Sequence, residues 1–129
     1  NMDGMVGKQA RRSLGVTATD MAAARKRSQE QGVPVMGMRF SNDVMCPRAR
    51  FDYLQDQFGD NFRRIEIDSS LFNKHRIPPW AHSVLTLDFV DKPDHPTRQA
   101  YDQMVGFFRE RLHKNGATQD GCTEMGHTD

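Results

Sequence analysis

Two short apolar stretches, VPVMGMRF at residues 33–40 and NFRRIEIDS at 61–69, are separated by a segment of helical periodicity. This alternation constrains the chain more than any other feature. Val33, Val35 and Phe40 in the first stretch, and Phe62, Ile65 and Ile67 in the second, suit buried strands better than helices of that length. Pro34 falls near the start of the first strand, where a missing amide costs least. Between them, PRARFDYLQDQFG sets Phe51, Leu54 and Phe58 on one helical face, with Pro47 as the first helical residue and Gly59 as the stop. A strand, a helix and a second strand in that order imply parallel strands joined by a right-handed crossover.

Helices are expected on both flanks. Thr17 opens T-A-T-D, a capping box ahead of MAAARKRSQEQ, and Gly32 closes that helix. Near the other end, TRQAYDQMVGFFRERLHK spaces Tyr101, Met104, Val105, Phe108 and Leu112 along one helical face. Asp94 is placed to cap it, and its basic end suits the helix dipole. The reading is an α/β fold with parallel strands near 33–40 and 61–67 and helices near 18–31, 47–58 and 96–113. It forms one domain over 17–113, with a polar segment at 1–16 and a polar tail at 114–129. Parallel strands want covering on both faces and pairing on both edges, so two of them look like part of a larger sheet.

Charge and cysteine usage exclude several function classes. Lysines and arginines number 18 against 17 acids, which leaves no excess for a dedicated nucleic-acid surface. RRIEID and RKRSQEQ are mixed in sign and read as solvated faces. No apolar run approaches the roughly 20 residues of a membrane span, and NMDGMVGKQARR lacks the apolar middle of a signal peptide. Cys46 and Cys122 form no C-x-x-C pair, which suits a reduced, cytoplasmic protein, although one disulfide stays open. His75, His82, Asp88 and His95 lack the tight spacings of a metal site, so no metal and no cofactor is expected.

The candidate chemistry lies after the two strands. SNDVMCP leaves the first and carries Asp43; a long segment with three prolines leaves the second and carries His82 in PWAHSVLTLD. Connections of that length are often functional. Loops at the carboxyl ends of adjacent parallel strands lie on the edge where open α/β sheets bind ligands.

VPVMGMRFSNDVMCP resembles the seventh strand and acid loop of α/β-hydrolase-fold serine hydrolases. AHSVLTLD resembles the histidine loop of carboxylesterase- and monoacylglycerol-lipase-like members, and HPTRQAYDQMVGFFRERL resembles the helix that follows. The resemblance runs from about Gly32 to Leu112. It implies that Asp43 is the triad acid and His82 the base, in the chain order of that fold. Ala81 stands where members usually have glycine, and no G-x-S-x-G is present. Ser13, Ser28, Ser41, Ser69, Ser70 and Ser83 sit in no strand-to-helix elbow. The resemblance therefore implies the carboxyl-terminal portion of an esterase, lipase or dienelactone-hydrolase-like enzyme acting on a small carboxylic ester, not catalytic alone.

Other readings of the same residues stay open. Asp43 suits an Asx turn or a cap for PRARFDYL, and His82 suits a filler packed beside Trp80 and bonded to backbone. His75 is a rival histidine in polar surroundings. Cys46 is either a reactive thiol or a small apolar filler. For the chain as a whole, the alternative is a stand-alone, non-catalytic module that pairs with a second copy or a partner through an exposed strand edge.

Overall fold

The computed structural model describes residue 9 and residues 12–116. Cys122, the polar segment before residue 9 and the tail beyond 116 lie outside these. In chain order the elements are α1 (Ala18–Gln31), β1 (Val35–Phe40), α2 (Arg48–Phe58), a 3-10 turn (Gly59–Asn61), β2 (Phe62–Ile67) and α3 (Pro96–Gly116). β1 and β2 pair in parallel, in register from Val35 opposite Phe62 to Phe40 opposite Ile67. The chain is thus a mixed α/β domain. Among the described residues the sheet has two strands, so each keeps one edge without a neighbour.

The helix ends show how local chemistry sets the boundaries. Thr17 caps α1, its hydroxyl oxygen accepting from the Asp20 amide at 3.1 Å. The Asp20 carboxylate accepts a hydrogen bond from the Thr17 hydroxyl at 2.7 Å, where a full capping box would reach the Thr17 amide. Gly32 ends α1 in the left-handed region at φ 60°. Pro47 stands one place earlier than expected, as the N-cap of α2: its ψ of 151° is extended, while its carbonyl already accepts from Arg50. The cap of α3 is His95 and not Asp94. The His95 carbonyl accepts from the Gln99 amide and its Nδ1 accepts from Thr97 N, leaving Pro96 at the first helical position and Asp94 exposed.

Alternation along the strands divides the core into two clusters. On one face Phe40 and Ile67 pack with Ile77, Ala81, Val84 and Ala100, and Met38 and Ile65 lie against them. On the other, Phe62 packs with Met21, Phe51 and Phe58 from α1 and α2. Phe51 and Phe62 meet edge to face with centroids 5.5 Å apart. The α3 stripe is covered less than its periodicity suggests. Ala100 is buried, but Phe108 is 54% and Leu112 70% exposed. Only the first turns of α3 reach the core, and farther along, Arg63 spans to Glu110 and lies over the Phe107 ring.

Gly37 lies where the two aromatic rings close on β1: a Cβ there would stand 3.0 Å from Cζ of both Phe51 and Phe62. Both rings are buried and cannot swing away. Gly37→Ala is therefore expected to destabilise the fold by about 1–3 kcal/mol, read from urea denaturation. Phe62→Leu in the same chain should recover part of the loss.

Candidate functional site: an aspartate–histidine pair at the carboxyl end of the sheet

The loops that leave β1 and β2 are laced together before they diverge. Ser41 N continues the ladder to Ile67 O at 2.8 Å. The Ser41 hydroxyl oxygen accepts from Ser69 N, the Ser69 hydroxyl oxygen accepts from Asn42 N, and the Asn42 amide donates to Ser69 O. This fixes the backbone immediately ahead of Asp43.

Asp43 divides its two oxygens. Oδ1 accepts from Met45 N at 2.9 Å and Cys46 N at 3.0 Å, closing an Asx turn. Oδ2 lies 2.6 Å from Nδ1 of His82. The Asx-turn reading and the histidine-partner reading of Asp43 thus hold together, whereas α2 has no side-chain cap from it. A carboxylate only accepts, so the contact places the neutral ring's hydrogen on Nδ1 and leaves the Nε2 lone pair available. Among the described residues no hydrogen bond involves Nε2. The Asp43 side chain is 2% exposed and that of His82 43%, so a buried anion holds a solvent-facing ring.

The backbone of His82 is held as firmly as its ring. Ala81 is fully buried in the core, and one carboxylate oxygen of Asp88 accepts from both His82 N and Ser83 N, at 2.9 and 2.8 Å. Trp80 is 80% exposed, so His82 is not a core filler packed with it and bonded to backbone; its ring bonds to a carboxylate. His82 lines two cavities. One, of about 540 Å³, is apolar and includes Met38, Val84, Leu85, Met104, Phe107 and Phe108. The other, of about 420 Å³, includes Asp43, Val44, Met45 and Trp80.

The remaining candidates lie elsewhere. His75 sits against His95, ring centroids 5.3 Å apart, and the His95 Nδ1 faces the Thr97 hydroxyl at 2.7 Å. Burial, and then the charge of His75, hold His95 below the ordinary histidine range. Among the described residues no group of three histidines, cysteines or acids is placed to hold a metal ion. Burial and the neighbouring Asp43 push the Cys46 thiol up against the opposing pull of Arg39 and Arg50, which disfavours a reactive thiolate. Among the described residues no serine hydroxyl hydrogen-bonds His82.

Asp88, weighed in the sequence only as a metal ligand, instead holds the His82 backbone. Two residues of the site escape a reading of the sequence alone: Arg39, 2% exposed, and Glu66, which stands opposite it in the strand register. The Arg39 Nη1 donates to Glu66 Oε2 at 2.8 Å, and Arg64 shares the same oxygen. An arginine inside an apolar strand, matched by a glutamate in the second, was the available signal. No family model, curated protein or solved structure matches the chain. No described helix is long and apolar enough to cross a membrane.

Burial alone would raise the Glu66 carboxyl, but hydrogen bonds and charge from Arg39 and Arg64 outweigh it and hold the group below its ordinary value. A depressed carboxyl contributes stability that is present above the unfolded-state value, about 4.3, and is lost as pH falls through the folded-state value. Melting temperature should accordingly drop as pH is lowered from 5 toward 3. In Glu66→Gln that acid limb should be shallower; an identical slope would show that the pair carries no linkage.

Proposed function

We propose that Asp43 and His82 are the acid and base of a serine-hydrolase-type triad, in the carboxyl-terminal portion of an α/β-hydrolase-like enzyme acting on a small carboxylic ester. The observation that carries this reading is the 2.6 Å contact between Oδ2 of a buried carboxylate and Nδ1 of an exposed imidazole. In this arrangement Asp43 holds the tautomer, and Nε2 takes the proton of an attacking serine hydroxyl and later returns it to the leaving alkoxide. Asp43 stabilises the imidazolium formed between those steps. The apolar cavity beside His82 suits the hydrocarbon part of an ester.

The nucleophile is assigned to a G-x-S-x-G elbow upstream, so residues 1–129 on their own are expected to be inactive. Incubated with a fluorophosphonate probe, they should acquire no serine label. A polypeptide extended upstream should label at the elbow serine, and His82→Ala should lower its ester hydrolysis by about 10⁴-fold or more. A parent gene with no upstream G-x-S-x-G would sink the proposal.

One observation favours a second reading, a non-catalytic module that associates with its own copies. Each strand has an edge without a neighbour among the described residues, and Phe108 and Leu112 of α3 are largely exposed. Edges of this kind pair readily with another chain. Light scattering after size exclusion would report a dimer at micromolar concentration on this reading, and a clean monomer would count against it.

A further inference from the structure

The structure assigns Arg39 as the positioning residue of the Asp43–His82 pair, through a chain of contacts that begins at Glu66 in β2. The inference rests on the reading of that pair as acid and base, and names what holds it. Arg39 is the penultimate residue of β1 and points to the sheet face that carries Phe51 and Phe62, where apolar side chains would be expected. Its guanidinium is buried, and each of its three nitrogens donates one hydrogen bond. Nε donates to Cys46 O at 3.0 Å, Nη2 to Ser41 O at 3.1 Å and Nη1 to Glu66 Oε2 at 2.8 Å.

The two carbonyls lie at opposite ends of the loop that carries Asp43. The guanidinium fork therefore bridges residues 41 and 46 like a strut across the mouth of a hairpin. Cys46 is the shared element: its carbonyl accepts from Arg39, while its amide donates to Asp43 Oδ1. With Oδ1 fixed by Cys46 and Met45, the carboxyl plane is fixed, and Oδ2 is presented to His82. Three acceptors at defined angles require a planar fork. A lysine ammonium has charge and three donors but not the span. A buried charge also needs full pairing, so the same contacts that aim the loop keep Arg39 tolerable inside the fold. A merely structural arginine would stabilise the sheet without affecting which imidazole nitrogen carries the proton; a positioning arginine must affect it.

The test is a long-range proton–nitrogen NMR spectrum of histidine-labelled chain at alkaline pH, where the neutral His82 ring reports its tautomer. The wild type should show Nδ1–H. Asp43→Asn should lose that preference, and a spectrum unchanged by Asp43→Asn would mean that the pair itself is misread. With that established, Arg39→Lys should shift the His82 tautomer population at least halfway toward that of Asp43→Asn, with the helical circular dichroism retained. Glu66→Gln, which removes one of the three acceptors' charge but leaves the loop carbonyls bonded, should shift it less in the same direction. A folded Arg39→Lys with the wild-type tautomer overturns the role of Arg39. Where Arg39→Lys does not fold, Glu66→Gln decides: a shift supports the inference and a wild-type spectrum overturns it.

Discussion

Everything at the site depends on two strands lying parallel and in one register. Because β1 and β2 run the same way, the loops that leave them emerge at one end of the sheet. Residues 39 positions apart in sequence, Asp43 and His82, are brought to hydrogen-bonding distance there. The register sets the partners: it places Arg39 opposite Glu66 on one face and Phe40 opposite Ile67. A slip of one residue would turn the arginine into the apolar cluster of Phe40 and Ile67 and leave it unpaired. The serine and asparagine bonds beyond the strand ends carry the same register into the loops.

Burial and exposure are divided within the pair, and each side follows from a different physical need. Asp43 is buried because both of its oxygens find donors in the protein: two amides for Oδ1 and the imidazole for Oδ2. A carboxylate so supplied does not need water. His82 is half exposed because its loop is fixed from below, by the buried Ala81 and by the double acceptance of Asp88, which leaves the ring projecting. The result is an imidazole with one nitrogen committed and the other free to exchange a proton.

The elements were legible where periodicity and punctuation agree. The alternating apolar residues of β1 and β2, the Phe51–Phe58 face of α2, and the glycines at 32 and 59 all follow from local chemistry. Boundaries shifted by a residue or so where two neighbouring groups compete for one role. Pro47 became a cap because its ψ stayed extended, and His95 displaced Asp94 because the histidine carbonyl and Nδ1 together satisfy helix amides. The apolar face of α3 was legible as a face. Its partial exposure was not, because periodicity says nothing of what lies opposite.

Taken by itself, the sequence determined the order of elements, their parallel sense, and two polar residues on loops that share one edge. These follow from local propensity and from the handedness of a strand–helix–strand crossover, neither of which needs a long-range contact. The resemblance favoured His82 over His75 as the partner of Asp43, and the tertiary structure supplied the contact, since the two histidines lie on the same long loop and differ in what their backbones are tied to. Only the tertiary structure decided the parts played by Arg39, Glu66 and Asp88. In sequence these are charged residues of ordinary kind. They acquire a role once strand pairing buries Arg39 against Glu66 and loop closure brings the His82 and Ser83 amides to Asp88.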